Sequence, residues 1–277
     1  MIGGQRWKDQ AAKPNLYPNA FPFDRGNLGL PSAAPLVALH GMNSAVSTAA
    51  DLWPQGGLRT FPTAAFTIGV SSSSALDINT TGTGAWIVEV DALDINYIPY
   101  TIRIALNGQT KVVDATLGAT AFRINDVRVY SLGTGAANAG DIYVYDSSDT
   151  VTAGVPQTAT KIFHKITATE NIGRGGFYTV PAGCRLQTQQ IRGGFSDIIT
   201  TARAGVLNLW FYKYRSGGVP VQSYFPITGQ ITNGVAIEVS SPDFAPIFDE
   251  KWDLTMHVSA STGSTMVGYV DACLYYK

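Results

Sequence analysis

The sequence predicts an all-β protein: a β-sandwich or jelly-roll body preceded by an extended N-terminal arm. Three observations predict it. Short segments of period-two hydrophobicity recur from Thr60 to Tyr276, turns rich in Gly and Pro separate them, and no stretch beyond residue 55 keeps a helical period for ten residues. Of 277 residues, 45% are hydrophobic and only 14% are charged, against about 25% charged in average globular chains. Such hydrophobic content excludes intrinsic disorder, and the lack of heptads excludes a long coiled coil.

Residues 1–59 read as the arm. Pro14, Pro18 and Pro22 alternate with Tyr17, Phe21 and Phe23, and Pro31 and Pro35 follow. Proline fixes φ and removes an amide donor, so this stretch is neither a helix nor a central strand. Aromatic side chains are poor residues for an idle tail and good anchors in apolar pockets. Trp7, Tyr17, Phe21, Phe23 and Trp53 are the expected anchors, on the protein's own body or on a neighbour. One short helix is expected over Ser44–Leu52, ended by Trp53-Pro54.

Residues 60–277 read as the body. Ala85–Leu93 alternates strictly and puts Glu89 and Asp91 on one face. Asn107-Gly108 is expected to form a type I′ turn from which Lys111–Val113 returns. Ala121–Tyr130 and Asp141–Asp146 follow, and the second half repeats the same grammar. One large sandwich, or two small ones meeting near residue 155, both fit this pattern.

Chemistry-bearing motifs are sparse. Lys+Arg 19 against Asp+Glu 20 leaves a formal charge of -1, with no basic stripe, so direct nucleic-acid binding is not expected. No apolar run of about 18 residues and no basic-then-apolar leader is present, so neither a membrane span nor a signal sequence is expected. His40, His164 and His257 lack a second ligand at metal spacing. Asp91 with Asp94, and Asp249 with Glu250, are nominal glycosidase pairs of the kind that chance supplies. Asp141, Asp146 and Asp149 are oxygen donors that a polar turn explains equally. Cys184 and Cys273 read as two small buried thiols. Hence no catalytic residue, cofactor or metal is expected. Trp210 and Tyr212 share a strand face, and Tyr224 lies nearby in sequence; these aromatics form either a subunit interface or a sugar-stacking platform. The low charge favours a chain that sits inside an assembly, as a homo-oligomer.

One ordered series stands out. Asp77-Ile78-Asn79-Thr80-Thr81-Gly82-Thr83-Gly84-Ala85-Trp86 leads to Leu106-Asn107-Gly108. Arg123-Ile124-Asn125, Asn138-Ala139-Gly140-Asp141, Tyr178-Thr179-Val180-Pro181-Ala182-Gly183 and Phe248-Asp249-Glu250-Lys251-Trp252-Asp253 follow. This series resembles virion structural proteins of tailed bacteriophages, over roughly residues 51–277. The resemblance implies a protein that decorates or cements the capsid or forms part of the neck or tail. Its partners would be other virion proteins, its oligomer a trimer, and its location the virion, assembled in the host cytoplasm. It carries no catalytic residue to transfer. The alternative is a glycan- or receptor-binding module of the phage tail or head fibre, which rests on the aromatic face at Trp210, Tyr212 and Tyr224.

Overall fold

The computed structural model describes residues 36–46, 49–114, 120–196, 205–214, 220–231, 237–241, 247–260 and 264–276. Strands β1 (Leu36–Val46) and β2 (Ala50–Asp51) come first. Then follow β3 (Ile68–Ser72), β4 (Ala85–Asp94), β5 (Pro99–Ala105), β6 (Val112–Val113), β7 (Ala121–Leu132), β8 (Ile142–Asp146), β9 (Val151–Thr152), β10 (Val155–Pro156) and β11 (Ile162–Ile166). The last group is β12 (Phe177–Thr179), β13 (Cys184–Ser196), β14 (Gly205–Tyr214), β15 (Pro220–Ile231), β16 (Ile237–Ser241), β17 (Ile247–Phe248), β18 (Asp253–Ala260) and β19 (Ser264–Tyr276). Among the described residues the helical content is one 3-10 turn, Ala159–Lys161. The all-β expectation is met.

The strands build two sandwiches, one inserted into the other. In the inserted unit, sheet β11-β8-β3-β6 faces sheet β5-β4-β7. Ile68, Val70, Ile142, Val144 and Phe163 from the first meet Val88, Val90, Ile104, Ile124 and Val127 from the second, all buried. In the outer unit, sheet β1-β19-β13-β16, joined by β17, faces β12-β18-β14-β15, joined by β2. Leu39, Val46, Leu186, Phe248 and Leu274 there pack on Ala50, Leu254, Met256 and Val258. Each face is apolar because alternate residues of a strand point to one side.

Four sequence readings change. Ser44–Leu52 is not a helix: β1 runs to Val46 and pairs antiparallel with β19 from Leu36↔Cys273 to Val46↔Ser264, and β2 pairs with β18. Burial of Val46, Ala50 and Leu52 outweighs the helical preference of the alanines. Among the described residues the outer sandwich therefore includes Leu36–Val46 and Ala50–Asp51, which the sequence assigns to the arm. The division expected near residue 155 falls inside the inserted unit, whose strand β11 pairs with β8. Finally, Asn107-Gly108 turns the chain with only Gly108 at positive φ. The chain then crosses to the opposite sheet, where β6 pairs with β3.

A true two-residue hairpin links β9 and β10. Ala153 and Gly154 both take positive φ, at 48° and 81°, as a type I′ turn demands. A Cβ on Gly154 would collide with the Ser72 carbonyl, and the Gly154 carbonyl accepts the Ser71 hydroxyl at 2.9 Å. Gly154→Ala is expected to cost about 3 kcal/mol from left-handed strain plus displacement of β3. Urea denaturation checks this; an unchanged midpoint would contradict it.

Candidate functional site

The residues of the ordered series do not converge on a reactive cleft. They collect at two structural hubs. The first closes one end of the inserted sandwich around Asp77, which is fully buried. Its Oδ1 accepts the amides of Ala85 and Ala139 at 2.7 and 2.8 Å, and its Oδ2 accepts the Ser72 hydroxyl and the Gly140 amide at 2.5 and 2.9 Å. The Gly108 amide donates to the Asp77 carbonyl, and the Asn79 amide to that of Leu106. The Asp77 carboxylate thus ties its own loop to the loop that begins at residue 138, and backbone bonds of Asp77 and Asn79 add the loop that begins at residue 106.

The second hub is the junction between the sandwiches. Arg123 on β7 donates through Nε and Nη2 to both carboxylate oxygens of Asp253 on β18, at 2.8 and 2.9 Å, with each side chain 1% exposed. Its Nη1 donates to the carbonyls of Pro62 and Phe122. The Thr179 hydroxyl adds a donor to Asp253 at 2.5 Å. Asn125 and Thr179 exchange amide bonds, both at 2.9 Å. Two charges so fully surrounded by partners survive burial because neither is left unpaired. Leu93, Tyr97 and Phe122 of the inserted unit pack with Ala182 beside this pair.

Arg59 lies on the same junction. Its amide donates to Asp51 at 2.6 Å, and Asp51 also holds His257 Nδ1 at 3.0 Å. The guanidinium stacks 3.6 Å from the Phe177 ring centroid and 4.4 Å from that of Phe61. Burial pushes this guanidinium down to about 9. His164 meets Phe177 edge-on at 5.0 Å, and its Nδ1 accepts the Lys165 amide. Burial, and then the charge on Arg59, push this imidazole down to about 3.

A pH dependence follows. The unfolded chain protonates His164 near its ordinary value, and in the folded protein this ring stays neutral down to about 3. Stability contributed by the neutral ring is therefore complete above about pH 6.5 and declines from there toward pH 3, by up to about 1.4 kcal/mol per pH unit. Urea midpoints between pH 7 and 4.5 should fall more steeply in the wild type than in His164→Gln. Parallel profiles would contradict this.

The expected site residues fare unequally. Trp53 is buried in its own chain, with Tyr143, Tyr145, Ile162 and Phe177, rather than left to anchor elsewhere. Its indole N–H donates to the Gly57 carbonyl at 3.2 Å. Trp7, Tyr17, Phe21 and Phe23 lie outside the described residues. Trp210 and Tyr212 fall on β14, between β15 and β18, and Tyr224 pairs with Phe211 across β14 and β15. Only the backbone pairing of these three is described.

The nominal acid pairs serve local structure. Asp91 accepts Thr101 and pairs with Arg128, and Asp94 accepts the amides of Asn96 and Ile98. Asp249 pairs with Arg185, and Glu250 accepts the Gly183 amide. Asp141 pairs with Lys165, Asp146 accepts the Ser148 amide, and Asp149 accepts Thr150 and Thr158. Among the described residues no group of three or more His, Cys, Asp or Glu side chains is placed to hold a metal ion. None of their helices is long and apolar enough to cross a membrane. Cys184 is a buried free thiol, pushed up by burial and by Glu250. Cys273 is the strand partner of Gln187, three positions along β13 from Cys184.

No protein-family model and no curated protein matches the chain. Among solved structures, the infectious bursal disease virus particle is similar over 88% of this chain and 73% of that one, at 12% identity and a TM-score of 0.24. The Gx strain of that virus covers 86% and 72%, at 11% identity and 0.26. Its mutant VP2 protein in derived T=1 particles covers 93% and 80%, at 11% identity and 0.24. TM-scores this far below 0.5 do not establish a shared fold.

Proposed function

We propose that the protein is a structural component of a tailed-bacteriophage virion. It decorates or cements the capsid or forms part of the neck or tail, and it is held there by its N-terminal segment. One observation carries this reading. The residues through which the chain resembles phage virion proteins are those that lock its loops and its two sandwiches: Asp77, Gly108, Ala139 and Gly140 at one hub, Arg123, Asn125, Thr179 and Asp253 at the other. Chemistry built into rigidity suits a part that bears load, whereas a hydrolase needs carboxylates left available for substrate. The low charge and the Pro-aromatic segment before Leu36 agree with a subunit that covers much of its surface with neighbours. On this reading the protein is a homo-oligomer, a trimer by analogy with phage β-sandwich proteins, resident in the virion after assembly in the host cytoplasm.

The test is complementation during infection with the full chain or with the chain lacking residues 1–35. The full chain should band with particles on a density gradient. The shortened chain should stay folded at the top of the gradient. Equal banding of both would overturn attachment through this segment.

A further inference from the structure

A groove of about 590 Å3 runs between the two sandwiches, a size that admits several side chains of a docked segment. Its lining includes Val37 and Ala38 from β1, Asp91 from β4, Thr101 from β5, and Asp126 and Arg128 from β7. Exposed Ile172 lies on it as well.

Three observations bear on what fills it. First, β1 is the end strand of its sheet among the described residues. The Met42 amide donates away from β19, to the Arg174 carbonyl at 3.2 Å. Alternation along the strand puts the peptide group of Ala38 on that same outer side. A strand edge beside a groove is a template for an added strand. Second, the charge is uneven. Asp91 and Asp126 on the lining share Arg128, which leaves one of these carboxylates in excess there.

Third, β1 begins beside this groove, and the 35 residues that precede it in sequence carry Arg6, Lys8, Lys13 and Arg25 against Asp9 and Asp24. Their charge is complementary to the groove. Pro31 and Pro35 bias Leu30 and Ala34 toward extended backbone, and 30–35 has no glycine to reverse the chain tightly. Extended backbone over six such residues would reach about 16 Å from Leu36, far enough to meet a neighbouring copy.

We propose that this groove receives the N-terminal segment of a second copy of the chain, laid as an added strand along β1 with basic side chains against Asp91 and Asp126. The proposal rests on the reading of that segment as the attachment element, and it names the partner. Symmetric repetition then makes a weak contact strong, because each closed ring uses it several times.

The test is zero-length carbodiimide cross-linking of the full chain, followed by gel separation and peptide mass analysis. Links from Lys8 or Lys13 to Asp91 or Asp126 are expected, carried by species of twice the chain mass or more. Such links confined to monomer-mass species would place the segment in its own groove and overturn the proposal, as would their absence. Asp91→Lys with Asp126→Lys should reduce the multimers at least tenfold. Combining these with Lys8→Glu and Lys13→Glu should restore them, a rescue that misfolding cannot imitate; failure of the rescue would also overturn the proposal. Loss of the links with the protein still present on washed particles removes only the groove. Absence from the particles removes the attachment reading.

Discussion

Replacing Arg123 by methionine, or Asp253 by leucine, is expected to destabilise the protein by about 3–5 kcal/mol, because either change leaves an uncompensated charge in a buried junction. The double variant should cost less than the worse single one, since an apolar pair of similar volume leaves no buried charge. The energetic reason lies in the geometry: both side chains are 1% exposed, and Arg123 also holds the carbonyls of Pro62 and Phe122. Urea midpoints for the three variants decide the matter. Additive losses would show that the pair contributes through packing alone.

Replacing Asp77 by alanine should cost about 4 kcal/mol, the sum of several buried donors left without an acceptor at about 1–3 kcal/mol each. The loss should be local before it is global. Amide exchange at Ala85, Ala139 and Gly140 should accelerate first, since their N–H groups donate to the Asp77 carboxylate. Amides of β12 and β18 in the outer sandwich should keep their protection under native conditions. Uniform acceleration across both sandwiches would contradict a hub that closes only one end of the inserted unit.

Much of this fold is legible in the sequence because period two is a local signal. Ala85–Leu93, Ala121–Tyr130 and Asp141–Asp146 announce β4, β7 and β8 within a residue or two at most ends. The shared face of Glu89 and Asp91 is real, and Arg128 bridges them. β1 escapes that reading because Leu36-Val37-Ala38-Leu39 is continuously apolar, and small residues after it imitate a helix. The insertion escapes because pairing is non-local: β1 finds β19 more than 200 positions away. The junction leaves one faint trace. Arg123 stands alone among apolar neighbours at the start of β7, where Ala121, Phe122 and Ile124 are buried with it. A charge buried in a strand calls for a partner, but nothing local names Asp253, 130 positions on.

Trp53 teaches the complementary lesson. The sequence expects it to be an anchor of the arm; the structure buries it within its own chain. What local sequence cannot supply is the surface that receives it, here Tyr143, Tyr145 and Phe177 of the same chain. The chain between the two sandwiches is consequently part of their shared junction.

The most direct measurement of the virion role is quantitative peptide mass spectrometry of density-banded particles washed at high salt. Peptides of this chain are expected at a fixed copy number relative to the major capsid protein, unchanged through repeated washing. Their absence from the particles, with the protein recovered only from the soluble lysate, would contradict it.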